Sequence, residues 1–268
     1  MDGCRLGRVV VIKLGGSVLA DDRAYRQVAR SLVSRLHNGS EERFVVVVSA
    51  RKGLTDELER LARGITDYPN PRTLDLLWST GEMRSVALLT LHLEELGVTA
   101  VGLNAHETGL RFNNSRPAGA RIESLSGELR RAFHDHSMVV VPGFFATLTN
   151  GTWVSLGRGG SDLSAVLLAQ ELEAEECELV KDVSGYFTED PNVNRRAEHL
   201  ARLSYEQALD MADAGCELGH PGAVRAARAA GLRLVVRSLD ETAPATIVSG
   251  DERTAERSAY GEASTKNR

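Results

Sequence analysis

The stretch Leu156-Gly-Arg-Gly-Gly-Ser-Asp-Leu-Ser164 decides how this chain is read. Three glycines flank one arginine, and Leu163–Glu173 beyond them reads as a helix that Ser161 or Asp162 can cap. Glycines let a backbone turn sharply and come close to a ligand. A helix start leaves free N–H groups and a partial positive charge, which suit an anion. Arg158 adds a planar two-pronged grip on a carboxylate or phosphate. Asp162 sets an acidic group beside them, able to order cationic groups or a metal. A Gly-rich loop also serves as a plain turn into a helix, so the flanking segments must carry the decision.

Upstream, Phe145–Leu156 alternates around Asn150-Gly151, the strongest short signal for a hairpin, which delivers the chain into the loop. Met138–Val141, Phe44–Val48 and Arg8–Ile12 are short apolar runs, as expected of strands buried on both faces. Lys13-Leu-Gly-Gly-Ser17 follows the first of these in chain order. A lysine at the carboxyl end of a buried strand is either a rim residue or meets an anion, since burial alone is costly. Gly15 and Gly16 can present N–H groups to phosphate oxygens. Neither a P-loop nor a Gly-x-Gly-x-x-Gly fingerprint occurs.

The loop Ser49–Thr55 leads into a helix over Asp56–Arg63, for which Thr55 is a good N-cap. Pro69–Pro71 breaks the chain, and a helix from Thr80 to about Leu96 places Glu82 in its first turn, where a carboxylate favours the dipole. Val98–Leu103 and Glu178–Val180 read as further strands. The second leads into Lys181–Pro191, a plausible ligand edge at the carboxyl end of a sheet. Ser204 caps a helix to Ala214, Pro221 opens one to Ala230, and Leu232–Val236 is a late strand. His220 caps or packs. Strands alternating with helices indicate an α/β fold with a largely parallel sheet covered on both faces.

The 268 residues, 42% hydrophobic, suffice for a substantial core. A formal charge of 32 − 37 = −5 leaves no basic footprint for nucleic acid. No apolar run is long enough for a membrane span, and Met1–Arg8 lacks a signal-peptide core. Cys4, Cys177 and Cys216 match no zinc or disulfide pattern, so a reduced cytoplasm is the simplest compartment. His134 and His136 lack a third metal ligand nearby. The charged stretch 250–268 has no apolar period and is expected to be disordered.

Taken in order, Lys13-Leu-Gly-Gly-Ser17, Ser49–Thr55, Thr80–Ser85, the 156–164 loop and Lys181–Pro191 resemble the catalytic domain of aspartokinases, within the amino-acid kinase family. The resemblance runs from about Arg8 to Val248. It implies a three-layer αβα sandwich over residues 1–249, with a substrate half at 1–150 and a nucleotide half at 151–249. It implies phosphoryl transfer from ATP, with Mg2+, to the side-chain carboxylate of aspartate. Arg158 would clamp the α-carboxylate and Glu82 the α-ammonium. Thr55, Gly159, Gly160 and Ser161 would complete the substrate contacts. Lys13, Leu14, Gly15 and Gly16 would meet the phosphates, Lys13 neutralising charge and Asp162 orienting it. Lys181, Asp182, Phe187, Asn192, Glu217 and Leu218 would form the nucleotide edge. No metal ligand is expected from the protein alone, and a homodimer is expected by family analogy.

Two departures stand out. The paired regulatory domains that usually follow do not fit in the about twenty residues after the last strand, so a unit without built-in feedback is expected. On the nucleotide side, Lys181 stands where Thr is usual, Phe187 for Tyr, Asn192 for Arg and Glu217 for Lys. A kinase of another small carboxylate, or a non-catalytic binding subunit, remains the alternative.

Overall fold

The apolar runs assemble side by side into one sheet. The computed structural model describes residues 8–38, 42–112, 127–148, 150–157, 159–191, 193–216 and 218–250. Arg158, Asn192, Glu217 and 251–268 therefore lie outside the described residues, and the expectations attached to them are not addressed by the structure. The central sheet has eight strands in the order β3 (Ala100–Gly102), β5 (Met138–Pro142), β2 (Arg43–Val48), β1 (Val9–Leu14), β8 (Glu176–Lys181), β10 (Arg233–Ser238), β11 (Thr246–Ser249) and β9 (Arg202–Ser204). Every neighbouring pair is parallel except β10 with β11.

Helices cover both faces, giving the three-layer αβα sandwich. The alternation of β1 assigns the sides. Val9 and Val11 pack toward α5 (Gly127–Asp135), α6 (Gly160–Glu171), α7 (Tyr205–Asp213) and α8 (Pro221–Ala230). Val10, Ile12 and Leu14 pack toward α1 (Asp22–Asn38) and α3 (Pro71–Glu95). Val45–Val48 are fully buried, which is why that run is continuous rather than alternating. The remaining elements are α2 (Leu54–Ile65), the short α4 (Ala105–Thr108), and a small sheet of β4 (Arg111–Phe112), β6 (Phe145–Leu148) and β7 (Trp153–Ser155). β6 and β7 form the expected hairpin, with Gly151 in the left-handed region. Among the described residues no helix is long and apolar enough to cross a membrane.

Several boundaries differ from the sequence reading. α3 starts at Pro71, because Asn70 caps it by accepting the Arg72 N–H at 3.0 Å and proline suits the first helical position. Glu82 is therefore mid-helix, and the first-turn dipole does not explain it. α2 starts at Leu54 and α6 at Gly160, each behind a left-handed glycine, Gly53 and Gly159. Thr55, Ser161 and Asp162 thus sit in first turns and cap nothing; Asp162 has other partners, described below. β1 runs to Leu14, so Lys13 is inside the strand. β9 and β11 were not anticipated: Arg202–Ser204 and Thr246–Ser249 are too short to show a period. Ser204 does cap α7, in a capping box with Gln207, and Pro221 does open α8.

Candidate active site

A cleft of about 1160 Å³ opens over the carboxyl ends of β1, β2 and β8. β1 is the strand at which the chain order reverses, with β2 on one side and β8 on the other. Ligands of open α/β sheets sit at such switch points.

The floor is a charge cluster. Lys13 Nζ lies 2.7 Å from Asp162 Oδ1, and Lys181 Nζ lies 2.9 Å from Asp162 Oδ2. Their side chains are 7%, 4% and 12% exposed for Lys13, Asp162 and Lys181. The sheet builds this arrangement. Lys13 and Lys181 lie on adjacent parallel strands and point to the α6 face, where Asp162 descends from the first helical turn. Burial alone pushes the Asp162 carboxyl up. The ammonium groups of Lys13 and Lys181 outweigh it and hold the group well below the usual carboxylate range. Burial pulls the Lys13 ammonium down, Asp162 partly restores it, and Lys181 adds to the lowering. The His220 N–H points to Asp162 Oδ2 at 3.4 Å, and its ring packs on Gly159, where even a Cβ would come within 2.5 Å. His220 thus packs; its side chain does not cap α8.

On one side of this floor lie Gly15 and Gly16. A Cβ on Gly15 would stand 3.6 Å from Lys13 Nζ, so the glycine leaves the space above the ammonium open. The Gly16 carbonyl accepts the Lys52 N–H at 3.0 Å, which ties this turn to the loop after β2. Leu14, expected at the phosphates, is fully buried and faces the α1–α3 core, because strand alternation sends it opposite to Lys13. Its carbonyl accepts the Ser49 N–H.

On another side, Thr55, Ser161, Gly159, Trp78, Phe144 and Glu82 face the cleft. Gly160 does not; it is packed against Leu156 and Phe144. Gly81 lets α3 press on the loop after β2, where a side chain would strike Ala50 Cβ at 2.9 Å. That contact brings Glu82 Oε1 to 3.2 Å from the Ala50 N–H. Burial pushes the Glu82 carboxyl up to about 7, the Ala50 N–H only partly opposing it. Among the described residues, Glu82 Oε2 and the Trp78 indole N–H, one helical turn earlier, have no partner. A buried, half-satisfied carboxylate facing a cleft is suited to a cationic ligand group.

The third wall carries Asp182, Phe187 and Leu218 with Met211 and Cys216. The Phe187 ring meets His199 edge-on at 5.3 Å, and the Tyr186 N–H donates to Thr246 Oγ1 at 2.8 Å, bolting the 181–191 loop to β11. Sequence reasoning missed Arg51, Lys52, Trp78 and Phe144 in the cleft. Two consecutive cations after a buried strand were a usable signal for the first pair. Trp78 lies four residues before Glu82, on the same helix face.

The fold is shared with known proteins. Residues 8–238 match the model of the amino acid kinase family. The chain belongs to that family. It is 37% identical over 241 residues to the aspartokinase of Geobacillus stearothermophilus and 39% identical over 241 residues to that of Thermus thermophilus. These alignments cover 90% of the chain but 58% and 59% of the relatives, so the chain spans about three fifths of their length. Among solved structures, an aspartate kinase from Synechocystis superposes with a TM-score of 0.77 at 36% identity, over 90% of this chain and 40% of that one. Aspartokinase III of E. coli, solved in complex with aspartate and ADP, superposes with a TM-score of 0.77 at 26% identity, over 91% of this chain and 65% of that one. Uridylate kinase from Archaeoglobus fulgidus, at 19% identity and a TM-score of 0.64, shares the fold alone.

Proposed function

We propose that this family member transfers the γ-phosphoryl group of ATP to the side-chain carboxylate of L-aspartate, giving 4-phospho-L-aspartate and ADP. The observation that carries the reading is the buried Lys13–Asp162–Lys181 cluster on the floor of a cleft whose walls differ in chemistry. One wall offers glycine backbone, which phosphates need. Another offers Glu82, whose unpartnered oxygen suits an α-ammonium group. Aspartate as acceptor is further supported by the aspartokinase likeness.

Phosphoryl transfer is mainly a matter of positioning and charge stabilisation. The acceptor carboxylate is ionised at neutral pH and needs no general base. Lys13, held straight by Asp162, meets the charge on the transferring group. Glu82 orients the amino acid with hydrogen bonds from Thr55 and Ser161. Arg158 is assigned the α-carboxylate by the family likeness alone. Mg2+ fits as a companion of the nucleotide: it prefers phosphate and carboxylate oxygens, and Asp182 is an exposed carboxylate on the cleft wall. Bound there, Mg2+ would offset phosphate charge. Among the described residues no group of three acidic, histidine or cysteine side chains could hold a metal alone.

The test is a hydroxylamine-trapping assay with MgATP across aspartate, glutamate, N-acetylglutamate and simple dicarboxylates. Hydroxamate with aspartate alone is expected. Signal only with another acid would keep the chemistry and replace the acceptor. No signal with any acid would remove the kinase reading.

A further inference from the structure

The floor of the cleft holds one more cation than its carboxylate can neutralise. Among the described residues, Asp162 is the only acidic side chain paired with either Lys13 or Lys181. Two ammonium groups against one carboxylate leave a positive charge that no ion pair among the described residues offsets. Lys181 is also the more exposed partner, at 12% against 7% for Lys13. Its Nζ contacts both oxygens of Asp162, at 2.9 and 3.3 Å, from the last residue of β8, and it lines the cleft. Lys13, two residues deeper in its register and tighter at 2.7 Å, is held by the strand on both sides.

Lysine differs from arginine here. An ammonium on a flexible four-carbon stem is a point charge that can pivot between anions, whereas a guanidinium locks into a fork. Lys181 can therefore rest on Asp162 while the cleft is empty and turn to a phosphoryl group arriving above it. The neutral Lys13–Asp162 pair stays behind when it does so.

We propose that Lys181 is a second catalytic cation, contacting the phosphoryl group in flight rather than the resting nucleotide. The proposal rests on the phosphoryl-transfer reading. In that step a carboxylate oxygen of the acceptor forms a bond to Pγ. The bond from Pγ to the bridging oxygen of the β-phosphate breaks, and its electron pair leaves on ADP. No proton moves. Charge spreads over the transferring oxygens between the two ends, where Lys13 and Lys181 flank it. Lys181 differs in this from a nucleotide-binding residue, whose contact would be as strong with ADP as with the transition state.

The test is steady-state kinetics of Lys181→Met, with MgADP affinity from calorimetry. Expected is a fall in kcat of about 100-fold or more, the range for losing one preorganised charge donor. KM for ATP and Kd for MgADP should stay within about threefold, because ADP lacks the transferred group. Lys181→Arg, which keeps the charge but fixes its geometry, should recover part of kcat. Its thermal unfolding and that of Lys181→Met should stay near the unmodified protein, since Asp162 keeps Lys13. If Lys181→Met proves unfolded, Lys181→Arg and Lys181→Thr carry the same comparison of kcat with KM. A kcat within twofold of the unmodified chain would overturn the proposal. So would a loss confined to KM and MgADP affinity, which would make Lys181 a ground-state contact. Silence of the unmodified chain with every acceptor is a different failure, that of the kinase reading itself.

Discussion

Among the described residues, two buried carboxylates each face two cations, and they are built differently. On the α1 side of the sheet, Glu178 of β8 takes a two-pronged contact from Arg35, one arm at 2.9 Å, and a longer one from Arg237 at 3.6 Å. Arg35 also reaches Glu241 at 3.5 Å and lies over the Phe44 ring at 5.6 Å. Two guanidiniums thus meet two carboxylates, and an aromatic face covers one of them. On the α6 side, among the described residues, two lysines meet Asp162 alone, under an open cleft. The first cluster is balanced, forked and closed, which suits a brace between α1 and the sheet. The second is unbalanced, single-pointed and open, which suits an anion that comes and goes. Both carboxylate side chains are 4% exposed, so burial does not distinguish them. Charge balance and the kind of cation do.

That contrast can be broken by mutation. Asp162→Asn should have the largest effect, because it leaves two buried ammoniums facing each other. We expect near-complete loss of turnover and a stability loss of about 3–5 kcal/mol, the usual cost of breaking a buried pair, read by denaturant unfolding. Its depressed pKa adds a pH signature. The carboxylate contributes stability above its unfolded pKa near 3.8 and loses it as pH falls below that, a slope that Asp162→Asn should flatten. Arg35→Met should destabilise by about 3 kcal/mol, leaving Glu178 to Arg237, while turnover per folded molecule stays unchanged. Turnover lost in proportion in both variants would erase the distinction.

Glu82 adds a third case, a buried carboxylate with no cation paired to it among the described residues. Its pKa of about 7 against an ordinary 4.5 means the folded protein holds its proton more tightly. Stability from this group is therefore present below about pH 4.5 and lost as pH rises through 7. Glu82→Gln should stabilise the empty protein above pH 7 by up to roughly 3 kcal/mol, from a 2.5-unit shift at about 1.36 kcal/mol each. If Glu82 holds the substrate ammonium, KM for the acceptor should rise up to tenfold per pH unit below about 7, and kcat should move less. Smallest of all, Gly81→Ala trades a helix gain of about 1 kcal/mol against the 2.9 Å approach to Ala50 Cβ. We expect little net change in stability and a higher acceptor KM, as α3 and Glu82 shift outward.

The sheet was legible because its strands are buried on both faces: Val45–Val48 and Val9–Ile12 are continuous apolar runs, and no other local structure explains them. Ser204 and Pro221 marked their helices because caps are local chemistry. The start of α3 was misread because Pro71 signals a break and a first helical position equally well. The site was legible only in part. Lys13 and Asp162 stood out through the motifs they sit in, and period alone gave no reason for them to meet. Lys181 reaches Asp162 across 19 residues, and Arg35 reaches Glu178 across 143, so only the assembled sheet brings each pair together. Leu14 was counted with the phosphate loop because its neighbours are there, though strand alternation turns it to the core.

The most direct measurement is acyl-phosphate formation from MgATP and aspartate, followed by phosphorus NMR, for the unmodified chain, Lys13→Met and Arg35→Met at equal folded concentration. A new acyl-phosphate signal with matching ADP is expected for the unmodified chain and Arg35→Met, and none for Lys13→Met. An unchanged signal in Lys13→Met would contradict this expectation, because the cluster on the cleft floor would then have no part in the transfer.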